Sequence, residues 1–197
     1  MLTPDPPARL PPLSPDKFDE EVVAFLKKWS GGPIDPKTNP PLATFAHHPK
    51  LAEAFSRFNL HVLMGTTLPI KQRQIAIMRT LWRCKAVYAW SSHLRTSLQA
   101  GLQPDLYRPI QVGAEDPYFS GFERTIVRAT DELVDDREVS RSSWEALGAE
   151  WNERQLLDFL FTVGCYVMLG GVLRTTGTER EPELLELAER YGAPGDG

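Results

Sequence analysis

Cysteine is scarce in this 197-residue chain. Cys84 and Cys165 lie far apart and neither belongs to a Cys-x-x-Cys pair. That removes the dithiol redox motif and any disulfide framework, and it leaves two buried thiols in a reducing cytoplasm as the expectation. Basic clusters are missing as well. With a formal charge of −4 and no concentrated Lys/Arg footprint, the chain has no surface suited to a nucleic acid. No unbroken apolar run approaches the roughly 18 residues that a bilayer span requires, so no membrane partner is expected. The opening MLTPDPPARLPPLSP has no apolar signal core, which points to a cytoplasmic protein. There is no glycine-rich phosphate loop and no dinucleotide fingerprint. The pair Gly170-Gly171 falls in an apolar stretch and reads as a place of close helix packing. The four histidines show neither His-x-x-x-His nor His-x-x-Glu spacing, and the expectation is no metal and no cofactor.

What is present is ordinary for one globular domain: 42% hydrophobic and 24% charged residues. Residues 1–15 are proline-rich and read as an extended or disordered arm, followed by a single domain over 16–192. The apolar spacing predicts helices over 14–29 (capped by Ser14 or Asp16), 42–47, 52–64, 70–84, 86–100, 104–112, 120–134, 140–149, 152–173 and 181–191. Gly101 is positioned to close the helix over 86–100, and Asn152 to cap the long one that follows it later in the chain. The adjacent His47-His48 before Pro49 reads as a helix-terminal pair complementing a helix dipole. No stretch alternates apolar and polar residues, so the fold class is all-α. The span 156–173 is apolar around most of its circumference, as expected of a helix buried in the domain or under a partner subunit.

The densest chemistry lies in residues 68–102, LPIKQRQIAIMRTLWRCKAVYAWSSHLRTSLQAGL. A Tyr-Ala-Trp tripeptide (Tyr88, Ala89, Trp90) precedes His93 on one predicted helix. Histidine is the side chain whose ordinary pKa lies nearest neutrality, and it is a natural proton shuttle. The combination LP-x-x-x-R, Y-x-W-x-x-H-x₇-G-L and a later DEL resembles the carboxymuconolactone decarboxylase family, which includes the AhpD-like alkylhydroperoxidases. The flanks NPPLATFAHHPKLAEAF and QLLDFLFTVGCYVMLGGVLRTTG fit its longer branch, and the resemblance covers most of residues 10–178. It implies an all-helical bundle built around a helical hairpin and assembled as a homodimer or higher homo-oligomer. The departures are specific. Where redox members carry Cys-x-x-Cys before the histidine, this chain has Ala86 and Ala89. Where the longer branch has acids, it has Gln74 and Ala89.

Thiol peroxidase chemistry, which needs a thiolate and a resolving thiol, is therefore the weakest reading. The leading one is a cofactor-independent lyase of decarboxylase or isomerase type, acting on a small carboxylated or carbonyl-bearing molecule. In it His93 moves the proton, and Gln74 and Tyr88 polarise or position the substrate. Trp90, His61 and Tyr166 line the pocket, and Arg73 or Arg79 binds an anionic group bidentately. Each has a plainer alternative: His93 as a hydrogen-bonded core histidine, Gln74 as a surface residue, Tyr88 and Trp90 as core aromatics, one arginine in a structural ion pair. A catalytically silent binding or scaffold protein is the competing function.

Overall fold

The computed structural model describes residues 5, 7–31, 35–37, 39–119 and 121–195. Its α-helices are α1 (Glu20–Trp29), α2 (Pro40–Phe45), α3 (Pro49–Leu60), α4 (Ile70–Arg83), α5 (Val87–Gln99), α6 (Tyr107–Val112), α7 (Gly121–Asp135), α8 (Arg141–Gly148), α9 (Glu153–Thr176) and α10 (Pro182–Tyr191). Among the described residues there is no strand, and the fold is all-α. Ser120, the expected first residue of α7, and parts of the Gly/Pro-rich break before α2 lie outside the described residues.

The capping chemistry explains most of the boundaries. Asn152 accepts the amides of Arg154 and Gln155, and the Gln155 side chain accepts the Asn152 amide in return, a closed capping box for α9. Ser140 accepts the Ser143 amide ahead of α8. Three boundaries differ from expectation. α1 starts at Glu20, because the Asp19 carboxylate takes the Val22 amide at 2.8 Å while residues 15–17 form a separate 3₁₀ turn. The helix expected over 52–64 starts at Pro49 and widens into a π-turn at His61–Gly65. His48 stands at the positive end of α3, where its Nδ1 accepts the Leu51 amide, so it acts as an acceptor cap and not as a cation at a C-terminus.

Two hydrophobic clusters organise the molecule. The larger gathers Ile75, Met78 and Leu81 of α4, Trp90 and Leu94 of α5, Ile126 of α7, and Phe159, Val163 and Tyr166 of α9. The smaller joins Leu13 of the arm to Val22, Phe25 and Leu26 of α1 and to Ala46 and Ala52 beside and within α3. α4 and α5 form a tight helical hairpin whose turn holds Lys85 at φ +53°. α9 packs across it, and a Cβ on Gly170 would stand 2.9 Å from Ala86 Cβ, so this glycine allows the close approach. Gly171 meets nothing within 4 Å and has no such role. The 24-residue α9 contains an 18-residue stretch of mean hydropathy 1.9, which by length and composition alone could cross a bilayer and equally suits a partly buried core helix. Asp158, Thr162 and three glycines interrupt the apolar run, so no unbroken 18-residue apolar stretch occurs in it.

Candidate active site

A cavity of about 430 Å³ lies where the two clusters meet. One wall comes from α1, α2 and α3: Trp29 of α1, Leu42 and Phe45 of α2, and Phe55 and Asn59 of α3. The other comes from α5 and α9. A helix advances about 100° per residue, so Tyr88, Ala89, Ser92, His93 and Thr96 share one face of α5, and all five line the cavity. Tyr166 and Leu169 of α9 complete this wall, and Glu181, the residue before α10, closes it.

His93 is buried, 7% exposed. Its Nδ1 lies 3.1 Å from Gln74 Oε1. An amide oxygen can only accept, so Nδ1 carries the hydrogen and Nε2 keeps the lone pair. Gln74, 1% exposed on α4, stands behind the imidazole and is not part of the cavity wall. The Tyr166 ring meets the His93 ring edge to face, with centroids 4.9 Å apart. Burial first, and the nearby Arg73 guanidinium second, push the His93 pKa down to about 3, so the ring is neutral at physiological pH. The Tyr88 hydroxyl donates to Glu181 Oε1 at 3.1 Å, and burial followed by that carboxylate pushes its ionisation far above the ordinary range.

Four candidates from the sequence lie elsewhere. Trp90 is two residues and thus about 200° from Tyr88, which puts it in the core; its indole N–H donates to Gly192 O and its ring packs on Trp82. Arg79 points to α7, where Nε and Nη2 form a bidentate pair with Asp131 at 2.6 and 2.8 Å, and Nη1 donates to Ile110 O. It is a structural ion pair. His61 is exposed, does not line the cavity, and bonds Asp158 at 3.1 Å, tying the π-turn to α9. Arg73 also misses the cavity wall. Burial lowers its pKa, and its Nε is buried without a hydrogen-bond partner.

Two polar side chains of the cavity wall escaped the sequence reading. Arg95 lines the cavity and its guanidinium pairs with Glu183 at 3.1 Å. Helical spacing from Tyr88 and Ser92 could have found it. Glu181 could not be found that way, since it sits 93 residues from Tyr88. Neither cysteine is poised for redox work. Burial pushes Cys165 up to about 12, its thiol donating to Asn59, and burial raises Cys84 too. Among the described residues no three His, Cys, Asp or Glu side chains converge as a metal site would require.

Neither a protein-family model nor the sequence of any curated protein matches the chain. Its structure does find neighbours. An uncharacterized peroxidase-related protein from Ralstonia eutropha with an alkylhydroperoxidase AhpD core superposes with a TM-score of 0.73 at 16% identity, covering 91% of this chain and 95% of that one. The fold is AhpD-like. A peroxidase-related protein from Silicibacter sp. shares this AhpD-like architecture with a TM-score of 0.70 at 18% identity, over 93% of this chain and 97% of that one. A debrominase, crystallised as a cysteine-to-alanine variant with 2,3,4-tribromopyrrole, gives 0.74 at 12% identity over 95% and 99%.

Proposed function

We propose that this AhpD-like protein is an acid–base enzyme that moves a proton on a small carbonyl-bearing or carboxylated molecule held in the cavity. The observation that carries the reading is the state of His93: a neutral imidazole, its Nδ1–H held by Gln74, with an Nε2 lone pair left to accept. A base of this kind works only where its own positive charge is offset as it forms. Tyr166 offers a hydroxyl for a carbonyl oxygen, Tyr88 would do so by releasing Glu181, and Arg95 offers a cation for a carboxylate. The walls supplied by Trp29, Phe45, Phe55 and Tyr166 favour a flat molecule. The debrominase neighbour, which holds a brominated pyrrole, offers a precedent for a small flat ligand on this architecture. Proton transfer of this kind uses side chains alone and needs neither a metal nor an organic cofactor.

The test works with surrogate compounds in place of the natural substrate. A panel of 2-oxo acids and 1,3-diketones is incubated with the protein in D₂O, and loss of the C–H signal is followed by NMR. Faster exchange with the wild type than with His93→Ala is the expected result; equal rates for the two refute the reading. One observation favours a silent binding protein instead. The partner of His93 is an amide, which does not stabilise an imidazolium as a carboxylate would. That reading predicts saturable binding of the same compounds with no exchange in either protein.

A further inference from the structure

Beyond the apolar wall of the cavity lies a second pocket of about 250 Å³. The two spaces run end to end along α3. Leu51, Ala52 and Phe55 line the pocket, and Phe55, Ser56 and Asn59 line the cavity. At about 1.5 Å of rise per residue, Ala52 and Asn59 stand roughly 10 Å apart along the helix. On α9 the spaces lie side by side: Tyr166, Leu169 and Leu173 face the cavity, while Met168, Leu169 and Val172 face the pocket. Phe45, Phe55 and Leu169 belong to both and form the partition. The two phenyl rings meet edge to face with centroids 5.8 Å apart, and both residues are half-buried.

The pocket offers a ligand almost nothing polar. None of the described residues lining it is Lys, Arg, Asp or Glu. His47 Nε2 donates to Pro11 O at 3.1 Å, His48 Nδ1 accepts the Leu51 amide, and the Thr176 hydroxyl donates to Val172 O at 3.0 Å. These groups are spent within the chain, and Thr44 Oγ1 is itself buried. The cavity is the opposite, with His93, Tyr166, Arg95 and Glu181 on its walls. The pocket is also a fixed space. Leu10 forms its arm-side wall, held where the amides of Arg9 and Leu10 donate to Thr176 O at 2.7 and 3.0 Å and the Leu13 amide donates to Ala43 O at 3.0 Å.

We propose that the ligand of the cavity carries an unbranched hydrocarbon chain, and that the pocket beyond Phe45, Phe55 and Leu169 is the subsite that takes it. The placing of the polar head rests on the acid–base reading above; the subsite rests on the lining of the pocket. A ligand site commonly joins a few polar groups that orient one end to apolar walls that supply affinity. Here the two parts occupy adjoining spaces. The head meets Arg95 and the hydroxyl of Tyr166, and the chain turns one phenyl ring of the partition aside and runs toward Ala52. Apolar walls with no free donor or acceptor gain from hydrocarbon and would leave a polar chain unpaired. Met168 and Val172 stand exposed at the rim, so a second copy lying over α9 would roof the pocket and leave its interior to the chain.

The test is calorimetric binding of straight-chain 2-oxo acids, from 2-oxobutanoate to 2-oxodecanoate, to the full-length protein below the micelle concentration of each acid. Wild-type Kd is expected to fall by up to about fourfold per added methylene. The heat-capacity change of binding should grow more negative along the series. Ala52→Phe fills the pocket from its floor. Leu51→Trp, at an exposed position, narrows it from the side and decides the matter if the first variant folds poorly. Each should bind 2-oxodecanoate about tenfold more weakly than wild type and 2-oxobutanoate within about twofold. Arg95→Gln should weaken every member by a common factor and keep the dependence on length. A wild type that binds long acids no better than short ones overturns the subsite, as do pocket variants that bind 2-oxodecanoate like wild type. Arg95→Gln that weakens the short acids alone overturns the continuous site, because the long acid then binds in the pocket by itself. Light scattering should show the same mass with and without 2-oxodecanoate; dissociation by the acid would make a second copy the occupant and overturn the proposal. Length-dependent binding with exchange in D₂O no faster than that of His93→Ala refutes the acid–base reading and leaves the subsite standing.

Discussion

His93 owes its properties to what surrounds it more than to what it is. An exposed histidine titrates near 6.5, whereas burial and Arg73 hold this one down to about 3. The unfolded chain therefore takes up a proton below about pH 6.5 that the native protein refuses until about 3. The resulting stability is fully present above about pH 6.5 and is lost as pH falls toward about 3. Urea midpoints at about pH 7 and about pH 4.5 should reveal a drop of a few kcal/mol, and His93→Gln should flatten it. Gln74 makes a second residue-scale prediction. Replacing it with glutamate sets a carboxylate against Nδ1, and the His93 pKa should climb by about 1–3 units in a ¹⁵N NMR titration. An unchanged titration would mean that the introduced acid is itself protonated or turned away.

At the scale of elements, helical geometry decides which side chains meet. Tyr88 and His93 share a face of α5, and Gln74 of α4 meets His93 because the two helices form a hairpin. That much was legible in the sequence, since periodicity and the Tyr-x-Trp-x-x-His spacing place the residues. The same periodicity separates Trp90 from Tyr88, and Arg79 from Arg73, although all four read alike along the chain. Only the packing of α7 against α4 shows that Arg79 belongs to Asp131. Close approach is equally local. Gly170→Val would drive a branched side chain into Ala86, 2.9 Å from the glycine's Cβ position, and push α9 off the hairpin. A loss of about 1–3 kcal/mol in chemical denaturation is expected, against little change for Gly171→Val apart from helix propensity.

For the whole molecule, the notable surface is the face that α9 turns outward. Leu157, Phe161, Met168 and Val172 are 54%, 58%, 47% and 41% exposed. Their spacing puts them on one stripe of the helix, and Leu60 and Met64 add to the exposed apolar surface. Apolar area of this kind in water favours association. We propose a homo-oligomer in which a second copy covers the stripe. Light scattering should return at least twice the 22.2 kDa chain mass, and Phe161→Glu combined with Met168→Glu should lower it to the mass of one chain. A monomeric wild type would refute the proposal.

Local chemistry determined what the sequence alone could decide: an all-α chain, most of the helix boundaries through caps and glycines, and a face of α5 bearing Tyr88 and His93. These follow from interactions within a few residues, where spacing is geometry. Tertiary structure alone decided what completes the cavity. Glu181 reaches Tyr88 across 93 positions. Contacts at that separation leave no periodic trace, because they depend on how whole elements pack and not on where residues fall along the chain.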